Sequence, residues 1–380
     1  MIKSEILEIK RQFANENCSI TKICGCYVDG EKNIKTKMSE TFLSLSEEEI
    51  FKYFEIFKKT LSGTLGKNLM NIDFPMEAEF SGGSQETLMK LRESGLKDEE
   101  LVDDYYQKII DTYEFVGNYL IILIHAAYDI PGKSKDKMKM EDASDEVYNY
   151  ILCSICPVNL SKPGLSYDAE ENIFKKRNQD WVVNMPTNGF LFPAFNDRST
   201  DVHSMLYYSK DPEGLNRDFV EQIFGCDLPL SAGGQKINFN ALIEETLGED
   251  CDYEIVKNIH ENLYEMLEEN CDVPEPVMLN KTEVKSLLAE SGVELEKLEK
   301  FEERFEEKIG EKAFLLAENL ANTRAFEVKT PEISIKVSPE YSSLIETKMV
   351  EGKKCLVIAI SDNIEVNGIN VNVNLHGDKE

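Results

Sequence analysis

The chain lacks any long apolar segment. Its longest apolar run, YLIILIHAAY, covers only ten residues, whereas a transmembrane helix needs about 20. The first stretch, MIKSEILEIKRQF, alternates charged and apolar residues and has no apolar core of the kind that a secretion signal carries. Nine cysteines are scattered without the spacing of a disulfide scaffold. We therefore expect a cytoplasmic protein with reduced thiols and no membrane contact.

Positive charge is also scarce. The 380 residues include 71 acidic and 42 basic side chains, which gives a formal net charge of -29 at pH 7. This charge repels phosphate at long range, so any contact with nucleic acid needs a local basic patch. The hydrophobic fraction of 42% is ordinary for a folded protein, and the length predicts two or three domains.

The motifs of metal, nucleotide and acyl-transfer enzymes are missing as well. Cys153 and Cys156 form a lone CxxC pair, and residues three apart on a strand point to opposite faces, so they cannot share one ion. In LSGTLGKNL, Leu61 stands where a phosphate-binding loop needs its first glycine. The four histidines lie far apart. We therefore expect no cofactor and no metal, and we favour a non-enzymatic role.

Apolar patterning predicts an α+β fold. The strand-like runs NYLIILIHAAYDI, EVYNYILCSICPVNL and GFLFPAF indicate an antiparallel sheet with helices on one face. From about Leu215 the pattern becomes helical, and the end of the chain returns to strands. We expect three domains: an N-terminal α+β domain over 1–211, a helical region over 212–322 and a C-terminal β-rich region over 323–380.

Three local patterns give sharper predictions. Ser46 and Glu49 have the spacing of a capping box, which predicts a helix over about 47–61. The pair Asn367-Gly368 between apolar residues predicts a type I′ hairpin. Apolar residues recur every three or four positions over Glu294–Leu320. That pattern predicts one long helix, whose apolar stripe packs within the monomer or forms the seam of a homodimer.

The stretch NGFLFPAFNDRSTDVHSMLYYSKD places a polar turn between two apolar strands. Arg198 can pair with Asp197 or Asp201, and short polar side chains cap backbone amides in turns. We favour a structural turn; the alternative is a recognition loop made of Asn196, Asp197, Arg198, Ser199, Thr200 and Asp201. A third hypothesis is an enzyme site, which requires four side chains to converge in one pocket: Asp197, Arg198, Asp201 and His203.

Local charge clusters offer two kinds of binding surface. One basic group is Lys32/Lys35/Lys37, and two others supply the candidate nucleic-acid contacts Lys133, Lys135, Lys137, Lys139, Lys175, Lys176 and Arg177. Each group predicts modest, salt-sensitive binding, and a solvated loop is the alternative. The segment Glu244–Glu275 holds 12 acids and one lysine. This segment suits a basic protein partner or a DNA mimic.

Two family resemblances add to these patterns. LKDEELVDDYYQKIID, GNYLIILIHAAYDIP, YILCSICPVNLSKPGLSYD, DWVV and GFLFPAFNDRST resemble segments of an uncharacterised family of bacterial proteins, a domain of unknown function found in Gram-positive anaerobes. That resemblance covers nearly the whole chain and names no activity. The order of elements also remotely resembles the nucleoid-associated NdpA/YejK family. The parallels include SEEEIFKYFEIFKKTLSG before the sheet and DFVEQIFG before two helices.

The NdpA/YejK resemblance implies an architecture and a role at the nucleoid, and it implies no catalytic residue. The basic turn of that family is weakened here to Ser209-Lys210-Asp211. We therefore predict a non-enzymatic cytoplasmic protein that acts at the nucleoid through DNA or a DNA-bound protein. The alternatives are an acidic protein that binds a basic partner or mimics DNA, and an enzyme with its site at the polar turn.

Overall fold

A computed structural model describes residues 1–133, 139–140, 146–273, 275–310, 313–360 and 364–371 of the chain. The chain divides into two compact units, Met1–Ala232 and Gly233–Glu380, and each is described by itself. The first unit contains an antiparallel sheet with helices, and the second contains helices followed by small strand pairs. The predicted α+β class is confirmed. The predicted boundaries at 211 and 322 stay predictions.

The first unit contains fourteen described strands and six described α-helices. The strands are β1 (Ile20–Val28), β2 (Ile34–Thr41), β3 (Leu69–Asp73), β4 (Asn118–Asp129), β5 (Gly132–Lys133), β6 (Lys139–Met140), β7 (Val147–Leu160), β8 (Leu165–Asp168), β9 (Ile173–Lys176), β10 (Trp181–Val183), β11 (Asn188–Phe192), β12 (Ala194–Asn196), β13 (Ser199–Asp201) and β14 (Ser204–Ser209). The helices are α1 (Lys3–Lys10), α2 (Glu47–Thr60), α3 (Met76–Glu79), α4 (Ser84–Ser94), α5 (Glu99–Thr112) and α6 (Arg217–Phe224).

Seven strands form a continuous antiparallel sheet in the order β2-β1-β4-β7-β11-β14-β3. The long strand β7 pairs with β4 along almost its whole length, from Val147 opposite Asp129 to Val158 opposite Asn118. The other edge of β7 pairs with β11 near its middle and with the short strand β10 near its C-terminal end. The prediction that these two apolar runs are strands of an antiparallel sheet is confirmed, and they pair directly with each other.

Helices cover both faces of this sheet, not one face as the sequence predicted. One hydrophobic cluster joins residues such as Leu123 and Ile155 of the sheet to α4, α5 and α6. A second cluster joins the opposite face, with residues such as Ile122 and Leu152, to α1 and α2. The physical reason lies in β4 and β7, whose central residues are almost all buried and do not alternate with polar ones. A strand with this pattern needs cover on both sides.

Polar caps and glycines set the helix ends. The Ser46 hydroxyl accepts from the Glu49 amide, and the Glu49 carboxylate accepts from the Ser46 amide, so the predicted capping box at the start of α2 is confirmed. Gly225 ends α6 in the left-handed conformation with φ 64°, which a residue without a β-carbon adopts without strain.

The second unit is built on a small helical core followed by strand pairs. Its helices are α7 (Ala232–Leu247), α8 (Tyr253–Glu269), α9 (Lys281–Glu290), α10 (Phe301–Lys308) and α11 (Ala317–Leu320). Its strands are β15 (Met278–Leu279), β16 (Leu315–Leu316), β17 (Phe326–Lys329), β18 (Ser334–Val337), β19 (Ile345–Val350), β20 (Lys353–Ile358), β21 (Ile364–Val366) and β22 (Ile369–Val371). Asn367 and Gly368 both have positive φ between β21 and β22, so the predicted type I′ hairpin is confirmed.

The predicted long helix over Glu294–Leu320 is wrong. The segment contains a 3₁₀ turn at Leu295–Leu298, the short helix α10, the strand β16 and the short helix α11. Gly310 follows α10 with φ 121°, and β16 then pairs with β15. Phe301 and Phe305 are buried in the core of this unit, whereas Leu295 and Phe314 are exposed. The buried part of the predicted stripe is therefore not free to form the seam of a homodimer.

None of the helices in the described ranges is both long enough and apolar enough to cross a membrane.

Candidate functional site

The polar turn that the sequence singled out is the tip of a small hairpin. The strands β12 and β13 pair so that Asn196 lies opposite Ser199. Asp197 and Arg198 fill the two turn positions with φ of 50° and 57°. Positive φ at both positions is the geometry of a type I′ turn, which matches the right-handed twist of paired strands.

Arg198 does not pair with Asp197 or Asp201, contrary to the sequence prediction. Its Nε and Nη2 atoms donate to the Glu8 carboxylate of α1 at 3.1 and 2.9 Å, and Nη2 also donates to the carbonyl of Pro131 at 3.2 Å. The fixed fork of a guanidinium suits such bidentate pairing. Hydrogen bonding to Glu8 raises the pKa of Arg198. Arg198 therefore fastens the hairpin to α1.

Asp201 is held by its own hairpin. Its Oδ2 atom accepts from Asn196 Nδ2 and from Ser204 Oγ, both at 2.6 Å, and its Oδ1 accepts from the His203 amide at 3.0 Å. Burial acts to raise the pKa of Asp201, but the hydrogen bonds outweigh burial and lower it. Because Asp201 and Arg198 engage separate partners and Asp197 is exposed, the enzyme hypothesis gains no geometric support at this turn.

The remaining turn residues contact a loop before β7. The Ser199 hydroxyl donates to the Glu146 carboxylate at 3.0 Å, and the Thr200 amide donates to it at 3.3 Å. Both side chains are half-buried. The turn is thus tied to its surroundings at several points. The alternative of a recognition loop stays a prediction.

His203 makes a separate ion pair at the surface. Its Nδ1 lies 2.7 Å from Glu79 Oε1 of α3, and its side chain is 70% exposed. The hydrogen bond and charge of Glu79 raise the pKa of His203. We expect an NMR titration of the imidazole to give a pKa above the ordinary value of about 6.5, and the variant Glu79→Gln to lower it.

The upward direction of the His203 pKa shift determines the pH range in which the ion pair stabilises the fold. The protonated pair stabilises the fold fully below the ordinary pKa of histidine, and this contribution is lost as the pH rises through the raised pKa of His203. An unchanged His203 pKa in Glu79→Gln would show that the pair does not persist in solution.

The three basic groups differ in how they are engaged. Lys35 and Lys37 form ion pairs with Asp29 and Asp103, each at 2.7 Å, so that group is largely neutralised. Lys135 and Lys137 lie outside the described residues. Only the backbone of their neighbours is described: Lys133 pairs with Lys139 across β5 and β6.

The third basic group lies on a segment that we call the β arm, residues 160–185. It contains β8, β9 and β10, and its base is fixed where the Ser161 amide donates to the Asp180 carbonyl at 2.8 Å. Lys175 pairs with Asp168 and, at 3.8 Å, with Glu171. Lys176 and Arg177 are exposed and make no ion pair within the part of the chain that the structure describes. They are the basic side chains of this group that remain available to a ligand.

Exposed apolar side chains accompany these bases. Tyr167 lies directly opposite Phe174 in the β8–β9 pairing, and their ring centroids are 5.5 Å apart. Large apolar side chains at the surface of the arm are Leu160, Leu165, Tyr167, Ile173, Phe174, Trp181, Val182, Val183 and Met185. Exposed apolar side chains gathered on one segment make it a candidate binding surface. The sequence analysis recognised the basic residues but not these apolar neighbours, whose exposure depends on β8 and β9 pairing only with each other among the described strands.

The acidic segment Glu244–Glu275 lies on α7, α8 and their connections, and lysines neutralise part of it. Glu245 pairs with Lys308 at 2.7 Å, and Asp252 pairs with Lys354 at 2.8 Å. Asp250 pairs with Lys297. These lysines reduce the charge that the surface can offer to a basic protein. The hypothesis of a basic partner or a DNA mimic stays a prediction.

The CxxC thiols point to opposite sides of the sheet. Cys153 lies in the cluster with α4, α5 and α6, whereas Cys156 lies in the cluster with α1 and α2, which confirms the sequence prediction. Burial raises the pKa of Cys156 to about 12 and also raises the pKa of Cys153. Both thiols are therefore protonated at neutral pH, so neither is a reactive thiolate.

Comparison with known proteins identifies one family over most of the chain. Residues 1–369 match the model of a family described as a domain of unknown function, DUF4317. The predicted resemblance to an uncharacterised family over nearly the whole chain is thus confirmed. No curated protein matches the chain. The resemblance to the nucleoid-associated family stays a prediction.

Proposed function

Because the chain belongs to the DUF4317 family, whose description names no activity, we propose a function from the geometry of the chain itself. The protein is a non-enzymatic binding protein that holds single-stranded nucleic acid on its β arm. A cytoplasmic location at the nucleoid belongs to the same proposal. One observation carries it: exposed aromatic rings and basic side chains share the surface of the arm.

The β8–β9 pairing places these side chains on a common face. Residues directly opposite each other in an antiparallel pair point the same way, as do alternate residues of one strand. Tyr167 and Phe174 are opposite each other, and so are Leu165 and Lys176. One face of the hairpin therefore presents two aromatic rings beside a lysine. Bases of any sequence stack on such rings, at about 1–3 kcal/mol per base.

The charge of the arm fits weak binding to phosphate. Residues 160–185 contain four basic and four acidic side chains, whereas the whole chain has a net charge of -29. Lys175 is neutralised by its acidic neighbours, whereas Lys162, Lys176 and Arg177 are exposed and make no ion pair within the described residues. Of these three, Lys176 and Arg177 follow Phe174 closely in the chain and are the side chains that would contact phosphates. Because the rest of the protein repels phosphate, the affinity depends on the arm and falls as salt rises.

The aliphatic side chains of the arm favour a second candidate, docking to a protein. Leu165, Ile173 and Val182 are exposed and add nothing specific to nucleic-acid binding. Under this candidate the partner is a protein with an apolar surface, including a protein that is itself bound to DNA. The two candidates differ in whether nucleic acid alone binds the arm.

The single tryptophan of the chain allows a direct test. Trp181 lies on β10 and is 56% exposed, so its fluorescence reports only on the arm. We expect a single-stranded oligothymidine of about 20 nucleotides to quench this fluorescence saturably. If Lys176 and Arg177 neutralise two phosphates, the affinity falls about sevenfold between roughly 50 and 200 mM salt.

A matched pair of variants separates the arm from the rest of the surface. Phe174→Ala removes a stacking ring and is expected to weaken binding about tenfold. Phe51→Ala removes another exposed phenylalanine, 52% exposed against 73% for Phe174, from α2 of the same unit and is expected to leave binding unchanged. Absence of quenching at the lower salt contradicts nucleic-acid binding. Capture of a protein by the wild type but not by Phe174→Ala would then favour the second candidate.

A further inference from the structure

The second unit contains a cavity of about 200 Å³ beside His260. Its walls come from α7, α8, the start of β17 with the residues before it, and the 3₁₀ helix Pro339–Leu344. His260 is half-buried, and its ring lies 6.4 Å from that of Phe326, with a 66° angle between the two planes. The volume is several times the roughly 30 Å³ that one water molecule occupies in the liquid, so a small molecule fits.

The carboxylates at the cavity are already engaged. Glu261 accepts a hydrogen bond of 2.5 Å from the Ser342 hydroxyl. Glu327 lies between Lys329 and Lys336, at 3.0 and 3.1 Å from their ammonium groups. Lys329 and Lys336 offset the charge of Glu327, whereas the neutral Ser342 hydroxyl leaves the charge of Glu261 in place.

Three donors at the cavity have no such partners. Within the described ranges, the side chains of Lys236, Asn240 and His260 make no hydrogen bond or ion pair to other protein groups. Burial, together with the charge of Lys236, lowers the pKa of His260, so the ring is neutral at pH 7 and keeps one N–H donor. Beside the Glu261 carboxylate, the cavity therefore combines the positive charge of Lys236 with the neutral donors Asn240 and His260.

A neighbouring cavity of about 290 Å³ shows that this charge balance is local. It is also lined by His260 and Phe326, but its own charged groups are paired. Lys257 contacts Glu254 at 2.7 Å, and Asp252 contacts Lys354 at 2.8 Å. An unpaired cation is thus a feature of the first cavity.

We propose that the cavity beside His260 binds a small organic anion. Lys236 pairs with its carboxylate or phosphate group, Asn240 and His260 donate hydrogen bonds to it, and the Phe326 ring forms the apolar wall. The site lies entirely in the second unit and goes beyond nucleic-acid binding by the β arm in the first unit, so the two proposals succeed or fail separately.

NMR of the histidine rings tests this site on the full chain. The chain has four histidines, and the variant His260→Gln assigns the relevant signal by its loss. Succinate and inorganic phosphate serve as the two probes, and uncharged succinamide is the neutral counterpart. We expect at least one anion to shift the His260 signal saturably, and the tighter of the two identifies the preferred oxyanion. Succinamide is expected to produce no saturable shift.

Two variants that each remove one positive charge complete the test. Lys236→Gln is expected to weaken anion binding about tenfold, since one charge interaction at short range contributes about 1.4 kcal/mol. Lys300→Gln removes the same charge from an exposed position outside the cavity and is expected to change little. The proposal is overturned if neither anion gives a saturable shift, if succinamide binds equally well, or if the two variants behave alike.

Discussion

Replacing Gly189 by alanine is expected to destabilise the first unit by about 3 kcal/mol. Gly189 lies on the buried strand β11, opposite Ser154 of β7. A β-carbon at this position would lie 2.4 Å from the Cys153 carbonyl oxygen and 2.6 Å from the Thr60 methyl group. Both distances are far below van der Waals contact, so the structure must shift to admit the methyl group.

Neither neighbour can move freely. The carbonyl of Cys153 belongs to β7, which is paired on both sides within the sheet. Thr60, at the end of α2, is fixed because its hydroxyl lies 2.7 Å from that of Ser154 in the buried layer between helix and sheet. The missing side chain of Gly189 is therefore what lets the end of α2 approach the sheet so closely.

Urea and thermal unfolding measure this effect. We expect Gly189→Ala to lower the melting temperature of the first unit by about 6–12 °C. Gly164→Ala is the matched control, because no heavy atom lies within 4 Å of the β-carbon that it adds in the β arm. The control is expected to stay within about 0.5 kcal/mol of wild type. Equal stability of the two variants would contradict the close approach of α2.

The sequence predicted the central strands because their signal is local. β4 and β7 are apolar runs of strand length, and they pair as adjacent strands of an antiparallel sheet. The same runs contained the evidence for a two-sided core, since their buried residues follow one another without alternation. A sequence analysis that gives more weight to this missing alternation predicts helices on both faces of the sheet. The opposite orientation of Cys153 and Cys156 was predictable because strand geometry alone decides it.

Prediction failed where distant contacts decide the structure. The apolar spacing over Glu294–Leu320 suits one helix, but short elements that pack on one core satisfy the same spacing. Pairing of β16 with β15 overrides the local preference. Arg198 pairs with Glu8 of α1, which lies 190 residues earlier in the chain. No spacing rule connects positions so far apart in sequence.

The two candidate binding surfaces were only partly visible in the sequence. The bases of the β arm appear in the sequence as KKR, but the exposure of Phe174 and Trp181 follows from strand pairing. In the sequence, His260 is one of four widely separated histidines and lies within the acidic segment Glu244–Glu275. Its cavity exists because residues near Phe326 and Ser342, far away in sequence, complete the wall. Binding surfaces assembled from separate segments need the tertiary structure to be recognised.

Replacing Asn188 by alanine is expected to destabilise the first unit by about 3 kcal/mol, through a buried hydrogen-bond network rather than through packing. The Asn188 Oδ1 atom accepts from the Tyr113 hydroxyl at 2.8 Å, and its Nδ2 donates to the Tyr207 hydroxyl at 2.8 Å. All three side chains are buried. Burial raises the pKa of Tyr113 to about 12 and raises the pKa of Tyr207, so both hydroxyls stay protonated at neutral pH.

Removing the Asn188 amide affects the hydrogen bonding of the two tyrosines unequally. Tyr113 keeps a contact of 3.1 Å with the Thr187 hydroxyl, whereas Tyr207 keeps no hydrogen bond to a described protein group. A double-mutant cycle on Asn188→Ala and Tyr207→Phe isolates this pair. Because Tyr207→Phe removes the group that Asn188→Ala leaves unsatisfied, we expect the double variant to be more stable than the sum of the single effects by about 1–2 kcal/mol. Single effects that add to within about 0.5 kcal/mol in urea unfolding would show that Asn188 and Tyr207 are not coupled, and the loss in Asn188→Ala would then reflect packing and the hydrogen bond from Tyr113.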